Sequence, residues 1–176
     1  MTRFRKSTLM PSEIVLAIDP GFDRMGLAVM KIEKSKPKLL FSQCLETDGG
    51  KERAERLLAV GTTIKDVVRK WHPKSLAIET LFFNTNAKSA MGVAEARGII
   101  IYEASNAGME IFEYSPQAVK IAVTGHGRAD KIQMAMMVKR LVDLTEKSSR
   151  RLDDEMDAIA VGITHLVTRR DMIRGR

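Results

Sequence analysis

The sequence predicts an α/β protein in which helices flank a mixed five-stranded sheet. Three observations support this fold class. Three short apolar runs near the start are joined by short links, which favour antiparallel neighbours. A later pair of short runs encloses a helix-length segment, an order typical of parallel strands. Between and beyond these runs, apolar residues recur at helical spacing. We therefore expect three antiparallel strands followed by two parallel ones.

The first three strands are predicted from short apolar runs. Ile14–Asp19 is a β-branched run that ends at Pro20-Gly21, which predicts a buried strand and a sharp turn. Met25–Ile32 and Leu39–Leu45 have the same character, and the polar segment EKSKPK joins them.

The middle of the chain alternates between helix and strand. Lys51–Trp71 carries an apolar stripe at helical spacing, and Leu76–Glu79 is a compact strand that again ends in a carboxylate. Asn86–Asn106 predicts a helix, and Met109–Tyr114 predicts the fifth strand. The crossover between the last two strands is long enough for them to be parallel.

Helices complete the chain. Ser115-Pro116 resembles an N-cap followed by proline in the first helical position. Ala129–Leu144 is amphipathic, and Asp154–Arg170 predicts the closing helix. We expect one domain over residues 14–170, with a flexible arm at 1–13 and a frayed tail at 171–176.

Composition narrows the possible functions. At 176 residues the chain suits a single domain with a real core. Its net charge of +7 favours a polyanionic partner, nucleic acid before membrane. The one cysteine, Cys44, cannot form an internal disulfide, which fits a reducing cytoplasm. No apolar run approaches the roughly 20 residues that span a bilayer, so we expect no membrane association.

Four acidic residues occupy positions where a ligand-binding site is expected. Asp19 and Glu79 each end a predicted strand, and ligands of open α/β sheets gather beyond such ends. Asp154 and Asp157 are three residues apart at the start of a helix, so they share one face. Acids in a first helical turn also occur simply because they complement the helix dipole. If the two strands are parallel neighbours, their carboxylates converge.

Such a set of carboxylates predicts a hard-cation site. Mg²⁺ prefers oxygen ligands, and Mn²⁺ is a possible substitute. Paired ions about 3.5–4 Å apart can activate water and stabilise the leaving oxygen of a phosphodiester. A basic protein with an acidic pocket is therefore a candidate nuclease.

Four segments together resemble the RuvC family of Holliday-junction resolvases, the crossover junction endodeoxyribonucleases. They are AIDPGFDRMGLAV, LAIETLFFNTNAKSAMGVAEARG, EYSPQAVKIAVTGHGRADK and DDEMDAIAVGITH, and they run from about Ile14 to His165. The resemblance implies an RNase H-like fold and a homodimer. It also implies paired, symmetric cuts across a four-way DNA junction during recombination and repair, together with a branch-migration motor.

The resemblance also implies roles for individual residues. The four metal-binding acids of the family fall on residues that the chain pattern had already singled out: Asp19, Glu79, Asp154 and Asp157. The aromatic residue that stacks on DNA bases falls on Phe82, although Phe83 beside it could take that role. Two functional lysines fall on Lys120 and Lys131, and we expect Lys131 or Lys120 to neutralise developing charge.

Several alternatives remain open at this point. Asp153 directly precedes Asp154, and only the spacing to Asp157 favours Asp154 as the ligand. Met91–Tyr102 could be a dimer interface or core. His165 is predicted to be a packed or surface residue and not a ligand. The rival functions are another RNase H-like nuclease, a non-catalytic module for branched DNA, and an actin-like nucleotide binder, which would need Gly-rich phosphate loops.

Overall fold

The computed structural model describes residues 13–80, 87–144 and 153–174. Its strands are β1 (Val15–Asp19), β2 (Arg24–Glu33), β3 (Lys36–Glu46), β4 (Ser75–Glu79) and β5 (Glu110–Tyr114). Its helices are α1 (Arg53–Trp71), α2 (Ala87–Asn106), α3 (Pro116–Thr124), α4 (Lys131–Leu141) and α5 (Asp153–Arg174). Of the predicted N-terminal arm, all but residue 13 lies outside the described residues.

The five strands form one sheet in the order β3-β2-β1-β4-β5. β1 pairs with β2 and β2 with β3 in antiparallel fashion, whereas β1 pairs with β4 and β4 with β5 in parallel. The predicted fold class, with three antiparallel strands followed by two parallel ones, is confirmed. β1 lies at the centre of this sheet.

The two faces of the sheet bury separate apolar clusters, because successive side chains of a strand point to opposite faces. Leu16 and Ile18 of β1 pack with α1 and α2. Val15 and Ala17 pack on the other side, with α3, α4 and α5. Asp19 continues this second series, so its carboxylate belongs to the α5 face.

The hairpin between β2 and β3 differs from the prediction. The turn consists of only Lys34 and Ser35, with φ values of 48° and 67°. The predicted link EKSKPK is otherwise strand, because β2 extends to Glu33 and β3 begins at Lys36. Two-residue turns with positive φ match the twist of a hairpin, and their usual sequence signature is Asn-Gly. Lys-Ser carries no such signal.

Capping residues set the limits of the later helices. The Ser115 hydroxyl accepts a hydrogen bond from the backbone N–H of Ala118 at 3.1 Å, as predicted for the start of α3. Asp130 forms a capping box with Gln133, so α4 begins at Lys131, two residues later than predicted.

The last helix is longer than predicted. α5 continues to Arg174, beyond the expected end at Arg170. Between Gly162, which lies inside the helix, and Gly175 there is no glycine or proline, so no such residue ends the helix at Arg170. Residues 171–174 therefore belong to α5. Within the described residues, no helix combines the length and the apolar character needed to cross a bilayer.

Candidate active site

The two central parallel strands bring two acids together. β1 and β4 are neighbours with Ile18 opposite Ile78, and each strand ends one residue later, at Asp19 and Glu79. Alternation along each strand turns both carboxylates toward the face that α5 covers. The predicted convergence of these two acids follows from this register.

A glycine lets the start of α5 approach the same place. Gly26 of β2 is the register partner of Asp19. A Cβ atom on Gly26 would lie 1.8 Å from the backbone oxygen of Asp154, so only a glycine at this position allows the contact. The first turn of α5 therefore rests on β2 directly beside Asp19. The Ser42 hydroxyl of β3 also donates to the Glu155 carboxylate.

A cavity of about 220 Å³ opens beside these elements. Its charged lining consists of three of the predicted acids and both predicted lysines, namely Asp19, Glu79, Asp157, Lys120 and Lys131. Pro116, Val119, Met134 and Ala160 complete it with apolar surface from α3, α4 and α5. Acids from three distant segments thus surround one space.

Burial and like charges raise the pKa values of these acids. The pKa of Asp19 rises to about 8, chiefly through burial and then through the charges of Glu79, Asp157 and Asp154, while Lys131 opposes the shift. Burial and the Asp157 charge raise the pKa of Glu79 to about 7. The pKa of Asp157 is also raised, mainly by burial.

The fourth acid has a different environment. Asp154 is absent from the lining of the cavity, and its Oδ2 accepts an ion-pair hydrogen bond from the Arg24 guanidinium at 2.6 Å. The Cys44 thiol lies 3.8 Å from the same oxygen. Asp154 still acts electrostatically on Asp19 and Asp157. Our sequence analysis did not single out Arg24, although it shares the face of Gly26 by strand alternation.

The neighbouring Asp153 has a different hydrogen-bond partner. Its Oδ2 accepts a hydrogen bond from the Lys131 ammonium at 3.2 Å, and both side chains are largely exposed. Lys131 therefore stands between the cavity and Asp153. The two consecutive acids thus point to different partners, Asp153 to Lys131 and Asp154 to Arg24.

The donor set fits a hard divalent cation by its chemistry. It consists of carboxylates whose mutual repulsion a cation would relieve, and three of these groups have raised pKa values. Among the described residues, no three Asp, Glu, His or Cys side chains are yet close enough to hold an ion.

Two other predictions have different outcomes. Phe82 and Phe83 lie outside the described residues. His165 is 2% exposed, the packed one of the two predicted alternatives, and its ring nitrogens lie 3.1 Å from the Ser75 hydroxyl and 2.9 Å from the Tyr114 hydroxyl.

A mixed five-stranded sheet with acids at the ends of its two central parallel strands, and more acids at the start of the helix that covers them, defines an RNase H-like nuclease.

The chain belongs to the RuvC family, because the family model for crossover junction endodeoxyribonuclease RuvC matches residues 15–165. The RuvC protein of Alkaliphilus oremlandii is 41% identical over 155 residues, which cover 88% of this chain and 93% of that protein. The protein from Moorella thermoacetica is 38% identical over 152 residues, covering 86% and 90%. The enzyme is thus a metal-dependent phosphodiester hydrolase of DNA recombination and repair.

Solved structures agree with this assignment. Thermus thermophilus RuvC has a TM-score of 0.81 and 31% identity, and the match covers 89% of this chain and 95% of that one. A structure of the same Thermus protein in complex with a Holliday junction substrate has a TM-score of 0.83, with coverage of 90% and 95%. The yeast mitochondrial Holliday junction resolvase Ydc2, at 15% identity and a TM-score of 0.68, shares the fold.

Proposed function

We propose that this protein resolves four-way DNA junctions by cutting two opposing strands at symmetric positions. One observation carries the proposal: acids from β1, β4 and α5 line a single cavity together with Lys120 and Lys131. The related Thermus protein was solved with a Holliday junction substrate, which supports the same class of substrate here. The net charge of +7 also suits a polyanion.

Four carboxylates would hold the metal: Asp19, Glu79, Asp154 and Asp157. We propose two Mg²⁺ ions per active site, with Mn²⁺ as a substitute. The chemistry that such ions supply is activation of water and stabilisation of the leaving oxygen. The carboxylates also fix where a phosphodiester can sit, because an anion can approach them only where the local charge is neutralised.

The two lysines would bind the scissile phosphate. The charge of Lys120 acts on Glu79, and that of Lys131 acts on Asp19 and Asp157, so both ammonium groups lie within electrostatic range of the acids. We infer that they attract the phosphate and neutralise the charge that develops on it. The hydrogen bond from Lys131 to Asp153 would hold this ammonium at the rim. Phe82 or Phe83, close after Glu79 in the chain, would stack on bases near the junction centre.

Paired cuts need two active sites related by a two-fold axis, and one chain provides one set of acids. We therefore propose a homodimer. The exposed face of α2 supports this, because Met91, Ala94, Gly98 and Tyr102 recur on it at helical spacing and none is charged. The buried face of the same helix packs Ala96, Ile100 and Ala104 into the core.

Gly98 offers a selective test of the dimer. A Cβ atom there would meet nothing within 4 Å in the protomer, so a larger side chain leaves the protomer fold intact. We expect Gly98→Glu to give a folded monomer in analytical ultracentrifugation, since two glutamates would be buried across the two-fold contact. Tyr102→Phe, which keeps the ring, is the matched control. A Gly98→Glu protein that remains dimeric contradicts α2 as the interface.

The acids are tested by conservative substitutions. Asp19→Asn and Asp154→Asn should lower junction cleavage in Mg²⁺ by at least 10²-fold, while junction binding without metal survives, because the carboxylates serve the metal and not the DNA. Asp66→Asn is the matched control, since it removes the same charge from α1, outside the lining of this cavity, and should keep most activity. Cleavage at wild-type rate by Asp19→Asn would contradict the assignment.

Two further parts of the proposal rest on family membership. We infer that a branch-migration motor engages the junction together with this nuclease. We also propose a cytoplasmic location, which the chromosomal substrate requires and which the free Cys44 suits.

A further inference from the structure

We propose that Arg24 is a positioning residue for Asp154, holding one carboxylate oxygen so that the other is presented to the metal. The inference rests on the proposed function, in which Asp154 is a metal ligand. It concerns a residue that lies outside the cavity and outside the four acids.

The ion pair has a particular geometry. The Arg24 guanidinium and the Cys44 thiol both approach Oδ2 of Asp154, at 2.6 Å and 3.8 Å. No hydrogen bond to Oδ1 of Asp154 occurs among the described residues. Within this described part of the chain, Oδ2 is therefore held and Oδ1 is left for a further ligand. Metal-ligating carboxylates characteristically have such an outer partner, which fixes their orientation.

The strands that carry these partners are themselves fixed. Arg24 and Gly26 share one face of β2, and β3 places Glu46 opposite Arg24 and Cys44 opposite Gly26. The Glu46 carboxylate lies 3.9 Å from Nε of Arg24, whereas Asp154 pairs with Nη2. The donors are thus held by the sheet, while the acid they hold belongs to α5.

The backbone of Asp154 is held as well. Its carbonyl oxygen packs against the bare backbone of Gly26, and the Ser42 hydroxyl binds Glu155 in the next position of α5. With both the backbone and one carboxylate oxygen fixed, the remaining freedom of the Asp154 side chain is small. The Asp154 side chain is therefore already ordered in the metal-free protein, so little further ordering is needed when a metal binds.

The test compares two arginines with similar ion-pair distances and similar exposure. Arg53 pairs with Glu95 at 2.6 Å and its side chain is 46% exposed, against 2.6 Å and 43% for Arg24. Arg24→Gln should raise the Mn²⁺ concentration for half-saturation, measured on the DNA-free protein by electron paramagnetic resonance, about 10-fold. Arg53→Gln should leave it unchanged, and Arg24→Lys should fall between.

A simple charge effect would have the opposite sign. Removing a cation close to a cation site strengthens metal binding, whereas removing a positioning residue weakens it. Unchanged or tighter Mn²⁺ binding by Arg24→Gln would overturn the proposal. At saturating Mg²⁺ the cleavage rate of Arg24→Gln should recover to within about 3-fold of wild type, because the ligand itself remains. Circular dichroism checks that each variant is folded.

Asp154→Asn separates this proposal from the proposed function. If Asp154→Asn weakens Mn²⁺ binding and Arg24→Gln does not, Arg24 is not a positioning residue while the ligand set stands. If Asp154→Asn leaves Mn²⁺ binding unchanged, the ligand set fails and the role of Arg24 fails with it. The double variant should bind Mn²⁺ no more weakly than Asp154→Asn alone, because Arg24 acts through that carboxylate.

Discussion

His165 is a buried histidine that ties three elements of the protein together. From α5 it bonds the Ser75 hydroxyl at the start of β4 and the Tyr114 hydroxyl at the end of β5. Its ring also packs 4.8 Å from the ring of Phe112. Burial, aided by the charge of Arg169, lowers its pKa to about 4. The imidazole is therefore neutral throughout the physiological range.

This pKa makes stability depend on pH in a definite direction. As pH falls below about 6.5, the unfolded chain protonates His165 and the folded protein does not until about pH 4. Each tenfold difference in proton affinity is worth about 1.4 kcal/mol, so His165 should remove on the order of 3 kcal/mol of unfolding free energy across this window.

Urea unfolding of His165→Gln measures this contribution by difference. The raised pKa values of Asp19 and Glu79 act in the opposite direction, since they favour the folded state at lower pH. We expect His165→Gln to be less stable at pH 7 but to lose less stability than wild type between pH 7 and pH 4.5. Parallel losses in the two proteins would contradict the assignment.

The positions of two acids could be predicted from the sequence, whereas the contact that Arg24 makes could not. Asp19 and Glu79 were predictable because strand ends and β–α order are local signals, and parallel pairing then brings them together. The ion pair of Arg24 with Asp154 joins residues 130 positions apart. It depends on side-chain conformation and on where α5 crosses the sheet, neither of which residue type reveals.

Among the secondary-structure elements, the contact of α5 with β2 determines the geometry of the site. Gly26 admits the backbone of Asp154, and Gly162 lies against Met30 further along the same pair. Small residues on both sides allow the helix to lie close to the strand. This closeness places the first turn of α5 within reach of Asp19.

A single methyl group tests this contact. Gly26→Ala should lower the unfolding free energy by about 1–3 kcal/mol, because the added Cβ collides with backbone that cannot move aside alone. Cleavage should fall as well, since Asp154 is displaced. Gly49→Ala is the matched control, because a Cβ there meets nothing within 4 Å.

Thermal unfolding and a cleavage assay on the same samples give both readouts. A shift of several degrees is expected for Gly26→Ala at this chain length. An unchanged melting temperature together with full activity would contradict the role of the α5–β2 contact.

The elements themselves were largely predictable, and the exceptions have physical causes. All five strands and their directions followed from apolar runs and link lengths. The β2–β3 turn was missed because Lys34 and Ser35 adopt positive φ without glycine or asparagine. The extent of α5 was underestimated because no glycine or proline lies between Gly162 and Gly175 to mark its end.

For the whole molecule, one chain supplies one set of acids, and junction resolution needs two. We therefore propose that a dimer formed through the exposed face of α2 brings two nuclease sites together. The uncharged stripe on this face and the open space at Gly98 take no part in the chemistry. They matter because a dimer formed there would make the cuts paired. An RNase H-like nuclease acting alone would cut without this symmetry.

Mapping cleavage of a synthetic mobile four-way junction tests the central claim most directly. With Mg²⁺ and wild-type protein, we predict nicks on two opposing strands at positions related by two-fold symmetry, and no cutting of linear duplex or RNA–DNA hybrid of the same sequence. Cuts on a single strand, cuts at unrelated positions, or equal cutting of the linear substrates would contradict it.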